Sequence, residues 1–176
     1  MKSLAPARNE HRQPPDTSNW AGRDNLMFHL RIPGLARDNA TPSLADTLYN
    51  LTNWQRSSVF LLPYRRSATL DTAAQMRTDD MAARNYFGHL TPDGVTGYTA
   101  TLASLGVSYA WAGENLALNN WPKELSAQEA IRGLMASPLH RSNILEAQDF
   151  DSIGIGYSEG NGFRYFAQIF LGGGNT

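Results

Sequence analysis

Four histidines occur in this 176-residue chain, and two of them, His89 and His140, fall in polar, turn-rich stretches within a regularly patterned body. His89 ends Asn85-Tyr-Phe-Gly-His89 and leads into Leu90-Thr-Pro-Asp93-Gly94; Glu114 sits in Gly113-Glu114-Asn115; His140 sits in Ser137-Pro-Leu-His140-Arg-Ser-Asn143. Neutral imidazoles are good ligands for zinc and similar ions, and a carboxylate would complete a three-ligand set with an open position. The same trio could hold a water molecule for acid–base work, because histidine titrates near neutrality. Spacing alone does not define a site: 25 residues separate His89 from Glu114 and 26 separate Glu114 from His140, which is no local metal motif. Taken singly, each histidine fits a hydrogen-bonded structural role, and Glu114 fits a loop or cap role. Asp93 reads as the polar residue of a Pro-Asp-Gly turn.

The elements that must position these residues are legible from periodicity and punctuation. Thr41-Pro42 is a helix-start signal, with Thr41 as cap and proline at the first position. Leu44, Ala45, Leu48, Tyr49 and Leu51 then trace one helical face to about Arg56. A second helix is predicted from about Thr69 to Asn85, with Leu70, Ala73, Ala74, Met81 and Ala82 inward and charges on the far side. A short helix around Tyr98–Leu105 ends at Gly106, and a strand is expected near Val107–Trp111. Ser126–Glu129 fits a capping box opening a helix with Ala130, Ile131, Leu134 and Met135 inward. Ser137-Pro138 stops that helix and starts another, placing His140 in its first turn. The end of the chain changes period: Ile153, Ile155 and Tyr157 alternate with glycines and serine, Gly160-Asn161-Gly162 turns, and Phe163 to Leu171 forms a partner strand. Gly154 and Gly156 suit a strand lying close against a helix, and Gln168 suits a buried hydrogen-bonding role. Helices first and antiparallel strands last define an α+β class.

Composition bounds the function classes. The hydrophobic fraction is 41% and the net charge −1, typical of one folded domain with no electrostatic footprint for nucleic acid. Zero cysteines exclude a disulfide framework, a thiol nucleophile and a cysteine-ligated metal. No apolar run approaches a membrane span, and the N-terminus lacks the apolar core of a signal peptide. Residues 1–43 read as a partly flexible N-terminal extension, 44–171 as the domain, and 172–176 as a tail.

Taken together and in order, the motifs go further. Asn85-Tyr-Phe-Gly-His89 with Asp93-Gly94, Gly113-Glu114-Asn115-Leu116-Ala117, Ser137-Pro-Leu-His140-Arg-Ser-Asn143-Ile144-Leu145, Ile153-Gly-Ile-Gly-Tyr157 and Phe166-Ala-Gln168-Ile-Phe170 form a specific series. The series resembles the CAP superfamily of cysteine-rich secretory, antigen-five and pathogenesis-related proteins, and looks most like its bacterial SCP-like extracellular members. That resemblance implies a three-layer α-β-α sandwich around a central antiparallel sheet. It also implies an open cleft holding two histidines and two acidic residues. Position by position, His89, Glu114 and His140 match three of these. The second acidic position has no match: Ser137 stands there, and Glu129 is out of register on the same helix.

The resemblance further implies an extracellular or cell-envelope location and a cleft that binds a divalent metal ion, zinc first among them, or a small-molecule, lipid-like or peptide ligand. Asn115, Ser137 and Arg141 are the additional cleft candidates. A noncatalytic binding module is the leading expectation, because the sequence offers no nucleophile elbow or oxyanion motif. A metal- or His/Glu-dependent hydrolase is the alternative, with Glu114 as its catalytic residue.

Overall fold

A computed structural model describes residues 42–174. The expected cap at Thr41 and most of the expected extension over residues 1–43 lie outside this span. The first helix, α1 (Leu44–Ser57), begins instead at Ser43, whose hydroxyl accepts from the Asp46 amide while the Asp46 carboxylate returns to the Ser43 amide. That reciprocal box satisfies two of the amides a helix start leaves open. After β1 (Arg65–Arg66), α2 (Ala68–Arg84) starts on the Ser67 hydroxyl and ends at Asn85, whose backbone turns left-handed at φ 52°. A turn closed by Gly94 at φ 78° leads into α3 (Gly97–Ser104). Then follow β2 (Trp111–Asn119), α4 (Lys123–Ala136), α5 (Pro138–Ile144), β3 (Ser152–Gly160) and β4 (Phe163–Gly172).

The four strands form one sheet in the order β1-β3-β4-β2. β3 and β4 make the expected hairpin, turning through Asn161 at φ 55° and Gly162 at φ 80°, the two positive dihedrals that match strand twist. β2 pairs antiparallel with β4 along its whole length, from Trp111 opposite Gly172 to Asn119 opposite Arg164. The edge differs from the expected purely antiparallel sheet, since β1 runs parallel to β3. The segment between α1 and α2 contributes only two paired residues. It places its Arg65 and Ser67 amides on the carbonyls of Asp151 and Ile153, each at 3.0 Å.

Alternation along the strands divides the core into two clusters, one per face. Phe166 and Phe170 of β4, with Ile153 and Ile155 of β3, pack against Leu48 of α1 and Ala127, Ile131 and Leu134 of α4. Tyr165, Ala167, Ile169 and Leu171 face the other way, onto Leu70, Ala73, Ala74 and Met81 of α2 and Leu102 of α3. Helices therefore cover both faces of the sheet. The close approach of α2 depends on Gly154 and Gly156: a Cβ at these positions would lie 2.0 Å from the Leu70 carbonyl carbon and 2.1 Å from the Ala74 oxygen.

Two further expectations are corrected. The strand expected near Val107–Trp111 lies instead at Trp111–Asn119, where nine residues pair with β4. Glu114 and Asn115 therefore lie mid-strand, not in a loop. Ser126 does not cap α4, which begins three residues earlier, behind Pro122. The Ser126 hydroxyl instead donates to Asn119 Oδ1 at 2.8 Å, and the Asn119 amide returns to the Ser126 carbonyl at 3.1 Å. That clasp fixes the β2–α4 junction.

Candidate functional site

β2 is an outer strand of the sheet, and its neighbours Glu114 and Asn115 point to opposite faces. Glu114 points toward α2 and the loop after it, and Asn115 toward α5. Each holds one histidine, so the two rings meet over this edge from different layers. Their centroids are 6.4 Å apart with planes inclined by 51°.

On the first side, Glu114 Oε2 lies 2.8 Å from His89 Nδ1. A carboxylate only accepts, so the hydrogen of this bond resides on Nδ1, and in a neutral ring Nε2 would keep its lone pair. The other oxygen, Oε1, accepts from Arg77 Nε at 2.9 Å. Both side chains are deeply buried, with Arg77 1% and Glu114 0% exposed, whereas His89 is 51% exposed. Arg77 Nη1 donates to the Tyr86 hydroxyl at 2.8 Å and Nη2 to the Gly88 carbonyl at 2.8 Å. The Tyr86 hydroxyl in turn bonds Asp80. Burial works against the Arg77 charge, but Glu114 and Tyr86 outweigh it and raise its pKa above the ordinary guanidinium value. The loop itself is closed by the Gly97 amide on the His89 carbonyl at 2.9 Å.

On the second side, His140 stands in the first turn of α5, which Pro138 opens as expected. The Asn115 amide donates to the His140 carbonyl at 3.0 Å, and Asn115 Oδ1 accepts from Asn143 Nδ2 at 2.9 Å. One strand residue thus grips α5 at two points a turn apart. Asn115 Nδ2 also donates to Gln168 Oε1 at 3.0 Å, and Gln168 Nε2 donates to Thr52 at 2.7 Å. This buried chain ties α1, β4, β2 and α5 together. Gln168 is the buried, satisfied residue expected of it. Burial, with a smaller contribution from His89, lowers the His140 pKa below the ordinary 6.5, which favours the neutral, ligating ring.

The remaining candidates divide. Asn115 is fully buried and holds α5. Ser137 lies half-buried at the α4–α5 joint and makes no side-chain cap bond. Arg141 is exposed and forms no salt bridge among the described residues. Glu129 pairs with Arg132 on its own helix, and Asp93 with Arg84 at 2.7 Å. Among the described residues, no group of three or more His, Cys, Asp or Glu side chains is gathered as a metal site. Glu114, with both oxygens engaged, stands behind His89. Arg77 is the residue sequence reading missed, having been grouped with outward charges. Its one signal was position, since residue 77 falls on the stripe defined by Leu70, Ala73, Ala74 and Met81.

The α-β-α sandwich agrees with comparison to known proteins. The model of the CAP family (cysteine-rich secretory protein family) matches residues 49–170, and the chain belongs to that family. Over 122 residues it is 34% identical to the uncharacterized protein YkwD of Bacillus subtilis, covering 69% of this chain and 44% of that protein. It is similar to the crystal structure of an extracellular protein containing a SCP domain from Bacillus anthracis, with TM-score 0.63, 26% identity, and coverage of 73% of this chain and 40% of that one. The chain thus spans less than half the length of these two relatives. The structure of NaASP2 with Zn2+ shares the fold at TM-score 0.52 and 13% identity, over 77% of this chain and 83% of that one. Despite the family name, this chain contains no cysteine; its layers are joined by packing and buried polar bonds.

Proposed function

We propose that this chain is an extracellular, noncatalytic binding module whose cleft takes a divalent cation, zinc foremost, through His89 and His140. The observation that carries this reading is the fixed pose of His89: Glu114 occupies Nδ1 at 2.8 Å, leaving Nε2 for the cation, with the His140 ring 6.4 Å away. A carboxylate behind a ligating histidine fixes its tautomer and raises its basicity. With Zn–N bonds of about 2.0–2.1 Å, two imidazoles on one tetrahedral ion would have centroids roughly 5 Å apart. The observed 6.4 Å is wider by an amount that small rotations of two partly exposed rings would close. Two protein ligands leave positions for water or for a donor brought by the ligand. The zinc named with NaASP2 and the extracellular description of the Bacillus anthracis relative support the reading.

Leu90 and Leu139, 59% and 79% exposed, directly adjoin the two histidines in sequence and favour an apolar or lipid-like co-ligand over a fully hydrated one. A metal- or His/Glu-dependent hydrolase is the competing reading. Its support is the His89–Glu114 dyad, but Glu114 is sealed from any substrate and could act only through His89.

Calorimetric zinc titration tests the proposal: wild type binds with one-site stoichiometry, and His89→Ala/His140→Ala does not. Unchanged binding in the folded double variant would overturn it. Turnover of peptide, ester or glycan substrates that is lost in His89→Ala would favour the hydrolase.

A further inference from the structure

We infer that Arg77 is a positioning residue of the cleft: by gripping the Glu114 carboxylate and the Gly88 carbonyl together, it sets both the tautomer and the place of His89. The metal arm of this inference rests on the zinc reading above; the tautomer arm does not.

The geometry gives Arg77 two independent holds on one residue. Through Nε it takes Glu114 Oε1 at 2.9 Å, which leaves Oε2 as the acceptor facing His89 Nδ1 at 2.8 Å. Through Nη2 it takes the Gly88 carbonyl at 2.8 Å, fixing the peptide unit that precedes His89. Its Nη1 uses the Tyr86 hydroxyl at 2.8 Å as a brace. A guanidinium presents donors in a rigid planar fork, so three fixed acceptors determine its pose and it determines theirs. A lysine ammonium is a single point on a flexible stem and could not serve all three at these separations.

Arg77 also decides what Glu114 is. A glutamate with a free oxygen could reach toward a cation in the cleft. With Arg77 on one oxygen and His89 on the other, Glu114 is withheld from the cation and becomes the orienting partner of the histidine. Space has been left for this. A Cβ on Gly97, at the start of α3, would lie 2.2 Å from Arg77 Cζ and 2.4 Å from Nε. The helix can therefore lie against the guanidinium only because residue 97 has no side chain. Gly97 also donates its amide to the His89 carbonyl at 2.9 Å, so one glycine serves the ring's backbone and the cation behind it.

The test reads the His89 ring directly, by long-range 1H–15N NMR of the metal-free protein under conditions where the ring is neutral. Wild type is expected to show one tautomer, with hydrogen on Nδ1. In Arg77→Met that tautomer gives way to a mixture or to the Nε2–H form, and Arg77→Lys restores it only in part. Gly97→Ala alters no polar group and is expected to reproduce the Arg77→Met pattern by displacing the guanidinium. If Arg77→Met fails to fold, Arg77→Lys and Gly97→Ala carry the comparison. Zinc affinity is expected to fall roughly 10- to 100-fold in each folded variant, the range for loss of a partner behind a metal ligand. An unchanged His89 tautomer in folded Arg77→Met or Gly97→Ala overturns the inference. If wild type takes no zinc but the tautomer still responds to Arg77, the zinc reading fails and the positioning role stands.

Discussion

Glu114 and His89, 25 residues apart in sequence, meet at 2.8 Å, one side chain sealed in the core and the other half in solvent. The carboxylate is thus shielded from solvent and reaches the exposed side only through the imidazole.

Replacing Glu114 separates its two duties. Glu114→Ala strands the Arg77 charge in the core, and removal of one partner of a buried pair costs about 3–5 kcal/mol. Urea denaturation is expected to show a loss in that range. Glu114→Gln keeps the shape, but its amide group would face His89 Nδ1 and drive the ring hydrogen to Nε2. A smaller stability loss with a marked drop in zinc affinity is the expected signature; equal zinc binding in wild type and Glu114→Gln would contradict it.

His140 makes the fold acid-sensitive. Its folded pKa lies below the ordinary 6.5 because of burial and, secondarily, His89. As pH falls, the unfolded chain takes up this proton before the folded one does. The contribution to stability is therefore whole above about 6.5, declines as pH drops toward the folded value, and is flat below it. His140→Asn should lose less stability than wild type between about pH 7.5 and about pH 5, read from urea midpoints. An identical loss in the two proteins would refute the assignment.

Gly154→Ala and Gly156→Ala push a methyl group into the backbone of α2, where the nearest atoms lie 2.0 and 2.1 Å from the new Cβ. Rigid backbone cannot yield as a side-chain tip can. Overpacking of this kind costs about 1–3 kcal/mol, occasionally more, and the double variant is expected to be largely unfolded by circular dichroism. Gly133→Ala, whose Cβ would meet nothing within 4 Å, is the control and should be neutral or slightly stabilising.

Asn115→Ala removes both grips on α5 and leaves the Gln168 acceptor without its donor. Unmet buried polar groups cost about 1–3 kcal/mol each, so stability is expected to fall by at least that much. Zinc affinity should fall with it, because α5 carries His140. A stability loss with unaltered zinc affinity would show that α5 keeps its place without Asn115.

What the sequence determined by itself is local or periodic. The helical faces of α1, α2 and α4, the Pro138 start of α5, the Asn161-Gly162 hairpin and the close-packing role of Gly154 and Gly156 follow from side-chain period and turn chemistry. These act over a few residues and need no knowledge of the partner. The ordered motifs also carried the family, and with it the three-layer architecture. The tertiary structure alone decided what depends on contacts distant in sequence. It set the register of β2 against β4, which put Glu114 and Asn115 on opposite faces of a strand. It also set the parallel β1 edge, and the Asn119–Ser126 clasp that displaced the expected cap of α4. Above all it decided Arg77. A charged residue on an apolar helical stripe is expensive to bury until a carboxylate from another strand arrives to meet it, and that carboxylate, Glu114, lies 37 residues away.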